Sequence, residues 1–149
     1  MRAVFNLRNL VRQVTDMTGL FRRRRAALTG GQAVPRVKTY PSESGYVYQY
    51  FYEGRRETRE GWGERGIEFV FRCTADRLTW MSISVVVAAS AIGAWQEAHG
   101  RELSSTEHYA VAKMALFQAF DERAGPAQLC GTVRVRNADI EGFVEKLGL

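Results

Sequence analysis

Histidine and cysteine are scarce in this 149-residue chain, two of each. Cys73 and Cys130 make neither a disulfide framework nor a metal knuckle, and their small number points to a reducing compartment. Cys73 reads as a buried small hydrophobe on the inner face of a strand, and Cys130 as a loop residue with no activating neighbour. His99 and His108, even with Glu97, Glu102 and Glu107 near them, match no metal-ligand spacing, so no metal is expected. No cofactor is expected either. The chain has no P-loop, no dinucleotide fingerprint, no G-x-S-x-G elbow and no H-E-x-x-H. Gly30-Gly31 and Gly61-Trp62-Gly63 are too short to cradle a phosphate, and Asp121 and Glu122, adjacent on a helix, diverge too far for an acid–base pair. A non-enzymatic role is therefore the expectation. No apolar run approaches the roughly 18 residues that a bilayer span requires. The richest stretch, Ile83 to Trp95, is interrupted by Ser84, Ser90 and Gly93. Serine is absent before Ser42, which argues against an organellar transit peptide, and Arg2, Arg8 and Arg12 argue against a secretory signal. The expected location is cytoplasmic, free or peripheral to a membrane or a large complex.

Positive charge is abundant but unevenly placed. Residues 1–40 hold nine basic side chains against Asp16 alone, a net +8, whereas residues 41–149 hold 12 basic against 15 acidic, a net −3. The overall +5 is a basic arm on a mildly acidic body, and attraction to anionic surfaces belongs to the arm.

Hydropathy patterning divides the chain into 1–44, a basic amphipathic helix and linker, and 45–149, a single α+β domain. Val4, Leu7, Val11, Val14, Met17 and Phe21 fall on one face of a helix, with Leu10 and Leu20 widening the stripe. Arg22-Arg23-Arg24-Arg25 follows, at the end where cations suit the helix dipole. Residues 29–44, with Thr29-Gly30-Gly31 and Pro35, read as a linker. Tyr46, Tyr48, Tyr50 and Tyr52 alternate along a first strand; Ile67, Phe69, Phe71 and Cys73 along a second; Met81, Ile83, Val85 and Val87 along a third. Residues 54–66 read as a charged connection and 74–77 as a tight turn. A helix is expected over 88–99, and a longer one over 104–123, opened by a capping box of Ser104 and Glu107. That second helix is apolar around more than half its circumference, which calls for cover on more than one side. A strand over 131–136 and a final helix capped by Asn137 complete the order α-βββ-αα-β-α. The predicted fold is an antiparallel sheet of three to four strands with helices packed on one face.

Three partners suit the arm physically: a groove on another protein, an anionic membrane surface, and a nucleic-acid backbone. The apolar stripe favours a protein assembly, with Val4, Leu7, Leu10, Val11, Val14, Phe21 and Arg22, Arg23, Arg24 and Arg25 as its contacts and Met114 and Phe117 as a secondary contact on the body. The alternative is a nucleic-acid binder, with the arginines on phosphates and the tyrosine strand stacking bases. The tyrosines read more naturally as a core face, because strand two shares its apolar side with them and no basic residue separates them.

Overall fold

The computed structural model describes residues 25–60, 63–129 and 131–149. The expected helix over residues 4–21, Trp62 and Cys130 lie outside them. Among the described residues, five strands form one sheet in sequence order: β1 (Lys38–Pro41), β2 (Val47–Glu60), β3 (Glu64–Thr74), β4 (Met81–Ala88) and β5 (Gly131–Val135). Helices α1 (Ala89–His99) and α2 (Ser105–Glu122) fall between β4 and β5, and α3 (Asn137–Leu147) follows β5. β1 to β4 pair antiparallel, whereas β5 runs parallel to β4. The fold is thus α+β with a mixed sheet, not the purely antiparallel one expected. A strand that follows a helical crossover enters from the same end as the strand before it, and α1 and α2 supply that crossover.

The core lies between the sheet and α1, α2 and α3. Alternation places Tyr48 and Tyr50 of β2, Phe69, Phe71 and Cys73 of β3, Ile83, Val85 and Val87 of β4, and Val135 of β5 on one face, all buried. Helix α2 answers with Val111, Ala112, Ala115, Leu116, Ala119 and Phe120. Phe120 stacks on Tyr48 at a centroid separation of 4.3 Å, and burying such a ring contributes about 2–3 kcal/mol. The second side of α2 is covered by α3 and by Tyr40 of β1, whose ring stacks on Phe117 at 4.2 Å. Tyr40 Oη also donates to Asp121 at 2.7 Å, tying the edge strand to the end of the helix.

Four sequence expectations need correction. Residues 29–44 are not only a linker: they contain β1, and Thr29 forms a further bridge to Arg55. Lys38 to Pro41 carries no alternation of its own, so its strand character comes from the β2 edge it pairs with. Residues 54–66 are not a loose connection; β2 and β3 continue pairing from Gly54·Val70 to Glu60·Glu64, across a bulge between Tyr52 and Gly54. Polar residues on both faces hide such a strand from any apolar period. The turn expected over 74–77 runs on past residue 77, because the Asp76 carboxylate accepts from the backbone N–H of Leu78 and Thr79, and β4 starts only at Met81. At the last helix Asn137 is the first helical residue and not the cap; the Asp139 carboxylate accepts from the Arg136 N–H at 2.9 Å. Helix α2 does open on the expected capping box: Ser104 Oγ accepts from Glu107 N–H at 3.2 Å, and Glu107 Oε2 accepts from Ser104 N–H at 2.7 Å.

Candidate functional site

One concavity follows from a mismatch in chain length at the sheet edge. Thr29 pairs with Arg55 and Lys38 with Tyr50, so residues 30–37 span the same gap as residues 51–54. Eight residues cannot lie flat against four, and the excess bows away from β2. The bow starts tight: Gly31 presses on the β2 backbone so closely that a Cβ there would lie 2.2 Å from the Glu53 carbonyl oxygen. Beyond it the chain opens, and between the bow, β2 and the amino end of α2 lies a cleft of about 390 Å³.

Its walls have a distinct chemistry. Arg36 enters from the bow, Lys38 from the start of β1 and Arg55 from the far side of the β2 bulge, and among the described residues no acidic side chain lines the cleft. None of these three cations forms an ion pair among the described residues. Lys113 stands near Lys38; burial first, and then the Lys38 charge, lower its pKa. The Tyr52 and Tyr109 rings form an aromatic wall, 4.8 Å apart. Burial raises the pKa of both, in Tyr52 against an opposing pull from Arg55, so both stay neutral phenols near neutrality. Tyr50, also on the wall, is pushed up to about 12, mainly by burial. Ser105 and Thr106 bring the first turn of α2, whose N–H groups have no preceding helical carbonyl to bond. Beside the cleft, His108 has its Nε2 buried without a hydrogen-bond partner among the described residues, and burial followed by the Arg55 charge lowers its pKa.

The opposite sheet face carries a second constellation. Glu68, on β3, is 6% exposed and accepts from Arg56 Nε at 2.5 Å and from Ser84 Oγ at 2.6 Å. Arg25 Nη1 lies 3.9 Å from the same carboxylate, and Arg56 Nη1 donates to the Ala26 carbonyl at 3.5 Å. On the same face Phe51 packs against Trp80 at 5.4 Å, and Val70 and Val86 are buried. Another hollow, of about 550 Å³, lies where β3 and β4 meet the start of α3; there Glu64 stands among Arg65, Arg134 and Arg136.

Of the residues expected at a partner contact, Val4, Leu7, Leu10, Val11, Val14, Phe21, Arg22, Arg23 and Arg24 lie outside the described residues. Arg25 is exposed and faces Glu68. Met114 and Phe117 are half-buried against the core, and Phe117 is hemmed in by Tyr40, by Tyr50 edge-on at 5.6 Å and by Lys113 Nζ at 5.5 Å. Tyr48 and Tyr50 are spent inside the core, so they offer no face to a base, while Tyr46 is 42% exposed at the strand end. His99 is occupied locally, stacked on Trp95 and hydrogen-bonded to Trp95 O and Glu141. The Cys73 thiol is pushed up to about 12 by burial, which suits packing and not reactivity.

The cleft itself was missed by sequence reasoning. Arg36 and Lys38 lie far from Arg55 and Tyr109 in the chain and share no motif with them, and one of the few signals was the pair Gly30-Gly31 beside a basic stretch. Compared with protein families, with curated proteins and with solved structures, the chain matches none.

Proposed function

We propose that this chain is a non-enzymatic accessory protein whose basic amino-terminal segment docks it onto a larger protein assembly, with the α+β body as the scaffold. The observation that supports this reading is the root of the arm. Arg25 and Ala26 are held against the sheet face opposite the helices, by Glu68 and Arg56, and Thr29 is stitched to Arg55 by backbone bonds of 2.8 and 2.9 Å. Arg25, the first described residue, therefore sits at a defined place on the sheet face that also carries an apolar pair, Phe51 and Trp80. Beyond that pair, Leu78 is 86% exposed and Val47 is 53% exposed. An amphipathic helix laid in a partner's groove needs such a fixed point, which limits the ordering entropy of the contact.

Capture from native lysate by the full chain, with nuclease present, tests the reading. Leu7→Asp combined with Val11→Asp is expected to abolish retention of a protein assembly, while the urea midpoint of the chain stays unchanged. A lower midpoint in the double variant would show that the stripe covers this chain's own sheet and would sink the docking proposal. Retention lost on nuclease treatment would instead favour nucleic acid as the partner.

A further inference from the structure

The cationic cleft has no place in the docking reading, and its composition is unusual for a merely solvated hollow. Folding brings Arg36, Lys38 and Arg55 to one concavity that no carboxylate lines among the described residues. Like charges gathered between low-dielectric walls repel one another and focus the field on whatever enters. Ser105 and Thr106 bring the first turn of α2, with the positive end of the helix dipole, to the same place, although the Glu107 carboxylate of the capping box offsets part of that dipole. An anion is the complementary guest. Two of the cations are arginines, whose planar forks match the oxygens of a phosphate in pairs.

The rest of the lining is not ionic. Tyr52 and Tyr109 present ring surface beside the charges, with neutral phenol groups able to donate or accept. A simple inorganic anion would leave that surface unused. The volume, about 390 Å³, sits towards the lower end of ligand pockets, roughly 300–1,000 Å³. That suits one nucleotide-sized molecule and not a dinucleotide.

We propose that the cleft binds a small phosphorylated ligand bearing a planar ring, the chemistry of a nucleoside monophosphate. The phosphate lies among Arg36, Lys38 and Arg55 at the amino end of α2, and the ring lies against Tyr52 and Tyr109. The segment 30–37 forms the outer wall, so its bowed shape sets the width of the entrance.

Isothermal titration calorimetry on the full chain, with adenosine monophosphate, inorganic phosphate and adenosine as separate probes, tests this. Adenosine monophosphate is expected to bind at one site per chain, phosphate to compete more weakly, and adenosine to bind more weakly still. Arg36→Gln and Arg55→Gln should each weaken the nucleotide by about tenfold, the scale of a lost charge-assisted hydrogen bond. Tyr109→Leu should weaken the nucleotide and leave phosphate unchanged. Arg36 is exposed on the bow, so its variant remains decisive even if substitution at Arg55 or Tyr109 compromises folding. Leu7→Asp with Val11→Asp should leave nucleotide binding intact, which separates failure of this site from failure of the docking reading. No binding of adenosine monophosphate at millimolar concentration would overturn the proposal, as would binding that survives Arg36→Gln. Equal affinity for phosphate and nucleotide would remove the ring from the argument and overturn the ligand class. Tight binding of an oligonucleotide without binding of the mononucleotide would likewise defeat it.

Discussion

Glu68 is a carboxylate set in the middle of a strand, where a side chain of that charge is rarely covered unless it is paired. Burial alone would raise its pKa, but hydrogen bonds from Arg56 and Ser84, with the charges of Arg56 and Arg25, outweigh burial and hold it below its usual 4.5. A lowered folded-state value stabilises the protein above the ordinary carboxylate value, and that stabilisation disappears as pH falls through the folded-state value. Glu68→Gln is expected to cost about 3 kcal/mol at neutral pH, because it leaves the largely covered Arg56 guanidinium without its counter-charge. It should also flatten the acid limb of the stability curve. Asp76, lowered to about 2 chiefly by the Thr79 and Leu78 N–H groups, and Glu107, lowered first by the Ser104 N–H, remain in both proteins, so the difference isolates Glu68. Urea midpoints measured between neutral and acid pH give the comparison. Parallel curves for the two proteins would show that this ion pair does not carry the acid sensitivity.

At the level of elements, the bow over residues 30–37 and the bulge in β2 are two parts of one device. Gly54 adopts φ +145°, a conformation open to glycine, and a Cβ there would lie 2.8 Å from the Thr29 carbonyl oxygen. Gly31 makes the even closer approach to Glu53, so two glycines let the returning segment lie against the strand before it bends away. Gly31→Ala forces backbone apart and not merely a flexible side chain. It is expected to cost about 2 kcal/mol by overpacking and to loosen the Thr29 bridge. Thermal unfolding gives the cost, and faster hydrogen exchange at the Thr29 and Arg55 amides would report the loosened bridge; unchanged protection there would contradict the coupling. At the start of α2, Ser104→Ala removes the cap on Glu107 N–H and should lower stability by about 1 kcal/mol, read from the urea midpoint.

For the molecule as a whole, charge separation is the organising feature. A +8 amino-terminal segment joins a −3 body, and its last cations fold onto that body in two places: Arg36 and Lys38 meet Arg55 at the cleft, while Arg25 joins Arg56 at Glu68 on the opposite face. The two proposed interactions should respond to salt differently. Retention of an assembly through a buried apolar stripe should change little between low and moderate salt, whereas phosphate-mediated binding of the nucleotide should weaken steadily. An assembly released by moderate salt alone would contradict the apolar basis of docking. No helix among the described residues is long and apolar enough to cross a membrane.

Local periodicity alone determined which residues of β3, β4, α1 and α2 face the core, because each carries its own stripe: Phe69, Phe71 and Cys73; Ile83, Val85 and Val87; Ile92 and Trp95; Leu116 and Phe120. The capping box at Ser104 and Glu107 was legible for the same reason, since its partners are three residues apart. The tertiary structure decided what depends on partners distant in sequence. Strand β1 exists because β2 offers an edge, and the polar half of β2 is a strand because β3 pairs with it. β5 is parallel to β4 because a helical crossover returns it to the starting end of the sheet. The cleft belongs to that second class. Its cations come from residues 36, 38 and 55 and its aromatic wall from residues 52 and 109, and only the unequal lengths of chain between two backbone pairings bring them together.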